Sequence, residues 1–311
     1  MADACTVETL IERFAGLEAR STGDALAVEA PLEIRLGYGP KNVRRVKSVS
    51  VTMRTPGRDC DLAAGFLMTE GVIRDPNDID RIEHVVERPL AGPAPLETTE
   101  RAGRGPGFRA INSTSSVVCV QLRTDVEVNM ASLERNFYVT SSCGVCGKAS
   151  LSALHAVGPP RARNTFEVEA HILYSLPPVL RRAQGAFDRT GGLHAAGLFS
   201  QKGELRSIRE DVGRHNAVDK LLGSEFLSDR TPLRDRILLL SGRASFELLQ
   251  KAVMAGIPMV VSVGAPSSLA VEVAREFDIT LIGFLREESF NVYHGARRLT
   301  GYAHTETETL L

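Results

Sequence analysis

Apolar and polar residues alternate in two early segments, residues 31–36 (Pro-Leu-Glu-Ile-Arg-Leu) and residues 48–53 (Ser-Val-Ser-Val-Thr-Met). A period of two puts one face on a core and the other in solvent, so both are predicted strands. The turn residues Arg54, Thr55, Pro56 and Gly57 follow, and residues 60–70 take up helical spacing with Gly71 as a stop. Residues 1–28 carry no comparable pattern and are expected to form a loosely held lead-in. Residues 91–107 crowd Pro, Gly, Thr, Glu and Arg together, the composition of an exposed loop or insertion. Strand patterning returns within residues 112–124, and a helix is expected over 130–137.

The second half is more regular. Residues 193–199 and 204–208 predict a hairpin around Gln201, Lys202 and Gly203. Residues 216–222 predict a helix ended by Gly223. Then strand (237–240), helix (245–255), strand (258–263), helix (266–277) and strand (279–284) succeed one another over short connections. The strands are apolar throughout rather than alternating, which predicts a parallel sheet buried on both faces. The fold class is therefore α/β in this half and α+β overall. No internal repeat is present, and Thr305-Glu-Thr-Glu-Thr reads as a solvated tail.

Composition narrows the function classes. The 311 residues are 43% hydrophobic and 24% charged, with a net charge of −1. A sizeable core can be buried, and the long-range positive field of a general nucleic-acid binder is missing. No segment approaches the ~20 apolar residues that span a bilayer. The start of the chain has early acids and no basic region before an apolar run, so no signal peptide is expected. Five cysteines, an odd and sparse number, argue against a disulfide framework and for a reducing cytoplasm.

The strongest chemical signal is the pair Cys143 and Cys146, flanked by Ser141, Ser142, Gly144, Gly147 and Lys148. The glycines make a thin-walled turn, and a helical pattern begins near Lys148. A helix dipole and a nearby cation favour a thiolate, the nucleophilic form of cysteine. Half of a structural zinc site, a thioredoxin-like couple and a thiol that carries a reactive sulfur all use such a pair. Zinc would need a second CxxC or a His pair; the βαβ context of thioredoxin is absent around residue 143. Deaminase zinc chemistry does not fit, because Ser142 stands where Pro precedes the first cysteine of that signature, and the only His-x-Glu lies in the tail at His304.

Four further segments could hold a ligand. Thr190-Gly191-Gly192-Leu193-His194 precedes a strand, where a lone His is usually a core residue. Residues 210–220 surround a helix start with polar groups, and Asp211, Arg214, His215 and Asn216 sit where backbone N–H groups are free. Ser241-Gly242-Arg243-Ala244-Ser245 and Gly264-Ala265-Pro266 join carboxyl ends of strands to helices. Ligands of open α/β sheets bind there, although such turns also serve as ordinary connections with Ser as N-cap.

Taken in order, these motifs resemble those of the formate dehydrogenase accessory sulfurtransferase family, FdhD type. Residues 53–57, 64–71, 135–137, 141–148, 190–194, 210–220, 241–245 and 264–266 carry the resemblance, which covers roughly residues 28–302. It implies a sulfurtransferase that takes persulfide sulfur from a cysteine desulfurase and passes it to the molybdenum cofactor, bis-molybdopterin guanine dinucleotide, for formate dehydrogenase. It implies Cys143 as persulfide carrier with Cys146 as its partner. It also implies Phe284, Leu285, Arg286, Glu287, Glu288 and Ser289 as the guanine-dinucleotide segment, although family members often have Gly where Glu287 or Glu288 stands. Ser241, Arg243, His194, Arg214 and His215 complete the expected cofactor contacts. The implied layout is a lead-in (1–28), a smaller N-terminal α+β domain (29–137), a cytidine-deaminase-like domain (138–303) and a tail (304–311). A homodimer is plausible for a carrier of a doubly bound cofactor. The alternatives are a zinc-stabilised binding protein and a chaperone that delivers cofactor without thiol chemistry.

Overall fold

In the computed structural model, residues 5–87, 115–128, 154–155 and 166–303 are described. The helix expected over 130–137, the loop at 91–107 and the pair Cys143 and Cys146 lie outside the described residues.

The expected lead-in is instead a hairpin. Strands β1 (Thr6–Ala15) and β2 (Glu18–Ala27) pair antiparallel from Thr6↔Ala27 to Ala15↔Glu18. Gly16 bridges them at φ 62°, a conformation that suits glycine in a two-residue connection. The β-formers Thr6, Val7, Thr9, Ile11 and Phe14 favour a strand even though the apolar positions do not alternate cleanly.

A four-stranded sheet follows, built from β3 (Ala30–Tyr38), β4 (Arg45–Arg54), β5 (Ile79–Glu87) and β6 (Ser115–Leu122) in the order β4-β3-β6-β5. Helix α1 (Asp59–Thr69) connects β4 towards β5, with Gly71 at φ 73° just past its end. Leu32, Ile34 and Leu36 of β3 share one core with Leu62 and Leu67 of α1. Strand β5 was not foreseen; it lies at the sheet edge, and its charged residues mask the strand pattern.

The remaining elements are β7 (Val168–Glu169), α2 (Ala170–Arg182), α3 (Gly185–Thr190), β8 (His194–Phe199), β9 (Leu205–Asp211), α4 (Arg214–Leu227), β10 (Ile237–Leu240), α5 (Phe246–Met254), β11 (Met259–Ser262), α6 (Ser268–Glu276), β12 (Thr280–Gly283), β13 (Asn291–His294) and β14 (Leu299–Thr300). Six of the strands form a sheet in the order β13-β12-β11-β10-β8-β9. The parallel arrangement expected of the three apolar strands holds, and the sheet extends beyond them. Strands β10, β11 and β12 are parallel, whereas β8, β9 and β13 run antiparallel to their neighbours. The hairpin of β8 and β9 joins the same sheet, since the β8 backbone pairs with the edge of β10.

Burial on both faces is as the apolar strands predict. Leu238, Leu240, Val260 and Leu281 enter one core with α1, α4, α5 and α6 residues, while Ile237, Leu239, Met259, Val261 and Ile282 enter another with Leu173, Leu176 and Leu180 of α2. Helix α2 escaped the sequence reading because Pro177 and Pro178 lie inside it, although its buried leucines keep helical spacing.

Helix α4 does not end at Gly223, as expected, but runs on to Leu227. The glycine serves packing instead. A Cβ at Gly223 would lie 1.8 Å from the carbonyl oxygen of Asp61, and one at Gly65 would lie 1.9 Å from that of Asp219. Helices α1 and α4 therefore touch backbone to backbone. Beside this crossing, buried Lys251 reaches Asp219 Oδ1 at 2.8 Å and Thr69 Oγ1 at 3.0 Å, and the Thr69 hydroxyl donates to Asp219 at 3.1 Å.

Replacing Gly223 or Gly65 by Ala is expected to destabilise the protein by about 3 kcal/mol or more, since overpacking against backbone leaves nothing flexible to yield. Gly185→Ala, where a Cβ meets nothing within 4 Å, is expected to leave the midpoint of urea denaturation unchanged or slightly raised. Equal midpoints for all three variants would refute the tight crossing.

Candidate functional site

The carboxyl ends of β10, β11 and β12 open onto three successive turns, and these turns are bonded to one another. Val263 N–H donates to Leu240 O, Gly264 N–H to Gly242 O, Ala244 N–H to Ala265 O and Ser267 N–H to Ala244 O, all at 2.9–3.1 Å. Phe284 N–H then donates to Gly264 O at 3.1 Å and Leu285 N–H to Ser262 O at 3.1 Å. The stack needs its glycines: a Cβ at Gly264 would approach Arg243 N to 2.9 Å, and one at Gly283 would approach Pro266 Cδ to 2.8 Å. Thus residues 241–245, 264–266 and 284–289, far apart in sequence, form one ledge.

The starts of α4, α5 and α6 meet the same edge, which directs backbone N–H groups and positive dipole ends towards it. Ser267 caps α6 through the Ala270 N–H at 3.2 Å, so the ordinary capping reading holds for that serine. Ser245 stands at the N-cap of α5 but makes no side-chain cap.

Within the segment 284–289 the residues divide. Leu285 is buried and anchors the segment in the core. Arg286 donates to Val263 O at 2.7 Å and Leu285 O at 2.9 Å, so its guanidinium braces the ledge. Phe284, at φ 54° and 41% exposed, and Glu287, Glu288 and Ser289, all exposed, face outward.

Residues 210–220 also divide. Asp211, fully buried, pairs with Lys220 Nζ at 2.6 Å and accepts from Gly213 N–H at 2.8 Å and Thr55 N–H at 3.2 Å. Lys220 also donates to Thr55 O at 2.7 Å. The Asn216 amide donates to Met53 O at 2.7 Å and accepts from Thr52 Oγ1 at 3.1 Å. Asp211 and Asn216, considered above as ligand contacts, are consumed in fastening the end of β4 to the start of α4. Glu210 likewise accepts from the N–H groups of Ala186 and Phe187 at the start of α3.

Arg214 and His215 are left at the open edge, partly exposed, with His194 at the start of β8. Burial first, then Arg214 and His215, hold the His194 imidazole below its usual range, so it is neutral near pH 7. A Cβ at Gly242 would sit 3.4 Å from His194 Nδ1, which places the β10 turn against this ring. Ser241 is tied to β8 by exchange with Ala195: Ala195 N–H donates to Ser241 Oγ at 2.9 Å, and Ser241 N–H to Ala195 O at 3.0 Å. Arg243 is exposed beside them.

His215 Nε2 lies 3.4 Å from Ser245 Oγ and 3.8 Å from Glu247 Oε2. His215, aided by Ser245 and the residue's own amide, pulls the Glu247 carboxyl down to about 2 against the effect of its burial. Glu247 was not foreseen; its signal was an acid in the first turn of the helix that follows Arg243.

A cavity of about 560 Å³ adjoins the ledge, lined by Leu180 and Arg181 of α2, Phe187 of α3, and Gly192, His194 and Ser241. The Arg181 guanidinium sits 4.7 Å above the Phe187 ring. This wall also went unforeseen, because the prolines hid α2. Among the described residues no group of three or more His, Cys, Asp or Glu side chains could hold a metal ion. The sequence-derived set is thus brought together for Ser241, Arg243, His194, Arg214, His215 and the 284–289 segment, while Cys143 and Cys146 lie outside the described residues.

Comparison with known proteins adds the family. The FdhD/NarQ family model matches residues 27–300. The sulfur carrier protein FdhD of Streptomyces avermitilis is 48% identical over 278 residues, 89% of each chain. That of Mycobacterium tuberculosis is 48% identical over 278 residues, 89% of this chain and 92% of the relative. That of Saccharolobus solfataricus is 37% identical over 282 residues, 91% and 93% of the two chains. A solved structure described as a formate dehydrogenase accessory protein, from Desulfotalea psychrophila, superposes with a TM-score of 0.65 at 21% identity, covering 95% of this chain and all of that one, and so shares the fold. With the ordered motifs, the mixed α/β architecture and relatives of this identity in agreement, the chain belongs to the FdhD/NarQ family.

Proposed function

We propose that the protein is a sulfurtransferase that serves formate dehydrogenase by loading sulfur onto bis-molybdopterin guanine dinucleotide. The observation that carries this reading is the ledge itself: three helix starts, Arg243, Arg214 and two histidines gathered at one sheet edge in a member of a sulfur-carrier family. Phosphate groups are stabilised by helix N-termini and by arginine. The exposed carboxylates of Glu287 and Glu288 suit hydrogen-bond donors such as guanine rather than phosphate. On this reading the segment from 284 to 289 recognises the base, and Arg243 and Arg214 hold the diphosphate.

The sulfur steps belong to Cys143 and Cys146. The Cys143 thiolate attacks the outer sulfur of a cysteine desulfurase persulfide; the donor thiolate leaves and Cys143 carries a persulfide. Attack by the Cys146 thiolate on the inner sulfur would release hydrosulfide and leave a Cys143–Cys146 disulfide, with the thiols supplying both electrons. In the same proposal residues 138–303 form the cytidine-deaminase-like, chemistry-bearing domain, residues 29–137 the smaller one, and the protein acts in the cytoplasm as a homodimer.

Intact-protein mass spectrometry after incubation with a cysteine desulfurase and cysteine tests the carrier. The wild type is expected to gain one sulfur atom, Cys143→Ala none, and Cys143→Ala is expected to abolish formate dehydrogenase activation with the fold intact. Zinc held by the wild type in place of any adduct would overturn the proposal. A second expectation concerns His194. By NMR its ring should titrate below the usual histidine range, rise in Arg214→Met, and rise again when guanosine diphosphate saturates the wild type. Titration unmoved by the nucleotide would remove the diphosphate from this ledge.

A further inference from the structure

The cavity beside the ledge is lined by a buried polar group that is left unused among the described residues. Gln184 stands between α2 and α3, is 5% exposed and lines the cavity. Its backbone is spent: its N–H donates to Arg181 O at 3.3 Å, and its carbonyl accepts from Asp188 N–H at 3.0 Å. Its side chain does not cap α3, and the amide has no hydrogen-bond partner among the described residues. Buried amides in native proteins are almost always paired, so this one points to a partner from outside the chain. Two neighbours on the same wall are alike. The His194 ring has no hydrogen-bond partner among the described residues, and Ser241 Oγ accepts from Ala195 N–H while its own proton finds no acceptor there.

The rest of the wall is apolar or charge-matched. Leu180, Phe187, Leu193 and Val263 line it, and Arg181 is paired with Asp188. Arg214 and Arg243, which have no acid partner among the described residues, stand on the ledge and not in the cavity. The cavity therefore suits a neutral flat ring with a hydrogen-bonding edge, and the ledge suits an anion. A primary amide offers N–H beside C=O, so it pairs with a ring edge that carries C=O beside N–H. The 2-amino-4-oxopyrimidine edge of a pterin is such an edge. Guanine has the same edge, and connectivity decides between the two. In the cargo proposed above a diphosphate separates guanosine from pterin. With guanine at residues 284–289 and the diphosphate at Arg243 and Arg214, the ring beyond the diphosphate is the pterin. His194 and Ser241, which belong to ledge and cavity alike, mark the passage between them.

We propose that this cavity seats the pterin of the cargo, with the Gln184 amide reading its aminopyrimidinone edge and with His194 and Ser241 meeting its ring nitrogens. The inference rests on the cargo reading of the ledge but not on the sulfur steps. It makes Gln184 a specificity residue, since a nucleotide without the pterin is held by the ledge alone.

Titration of the full-length chain with pterin, followed by the fluorescence of the ring, tests the seat. The wild type should bind it saturably, with or without guanosine diphosphate present. Gln184→Leu keeps the bulk, removes the amide and should weaken pterin binding about tenfold or more. Its midpoint of urea denaturation should stay or rise, because an apolar group of similar size in place of an unpartnered amide strands nothing. A lowered midpoint would make Gln184 a structural residue and overturn the proposal. So would a wild type that binds no pterin, or a Gln184→Leu variant that binds it as well. Displacement of pterin by guanosine diphosphate, with equal loss of both ligands in Gln184→Leu, would give the cavity to guanine and overturn it too. The two readings fail separately. Pterin binding by a protein that gains no sulfur from a cysteine desulfurase keeps the seat and removes the sulfurtransferase; sulfur uptake without pterin binding does the reverse.

Discussion

Helices α1 and α4 lie so close that no side chain fits between them at Gly65 and Gly223. That contact joins the four-stranded sheet, which α1 covers, to the six-stranded sheet, which α4 covers. Around it the apolar residues of both sheets merge into one core, so that Leu32 and Ile34 of one share a cluster with Leu238 and Val260 of the other. The starting point of α4, and with it Arg214 and His215, is set by this crossing. The neighbouring buried charges follow suit: Lys251 on Asp219, Lys220 on Asp211, and Arg54 in a two-point contact with Asp59 at 2.8 Å. Buried pairs of this kind add little net stability, but breaking one leaves an unpaired charge in the core, at a cost of about 3–5 kcal/mol. They specify one arrangement rather than tighten it.

The ledge depends on that arrangement. The turns after β10, β11 and β12 are held by main-chain bonds to each other, and Arg286 closes the stack from outside. Side chains that could meet a ligand therefore project from a rigid rim, with the cavity of α2 and α3 beside it. Charge is graded across the rim. His194 is kept neutral by burial and by Arg214 and His215 next to it, while Glu247 stays ionised beside His215. A site whose cations are only partly matched by acids is suited to an anion, the property that the nucleotide-bearing cargo proposed above requires.

Much of this was legible in the chain. The apolar strands over 237–284, their helices and short connections announce a sheet buried on both faces, and their order alone puts the small turns at 241–245 and 264–266 at its carboxyl edge. Other elements were hidden for identifiable reasons. Pro177 and Pro178 obscured α2, charged residues obscured the edge strand β5, and the first hairpin lacks a clean alternation because neither of its faces is fully buried. Gly223 read as a stop, since a glycine in sequence looks the same whether it ends a helix or admits another helix.

By itself, then, the sequence determined the local periods, the sheet-and-helix alternation, the turn positions and the family, because these follow from neighbouring residues and from ordered motifs. What only the tertiary structure decided is which polar residues remain available. In sequence Asp211, Asn216 and Arg286 are as polar and as close to the turns as Arg214, His215 and Arg243, but the first three spend their hydrogen bonds on the backbone of other segments. Hydrogen bonds that span 23 residues, as for Arg286, or more than 150, as for Asp211 and Asn216, leave no periodic trace, so only the folded chain separates a brace from a binding group.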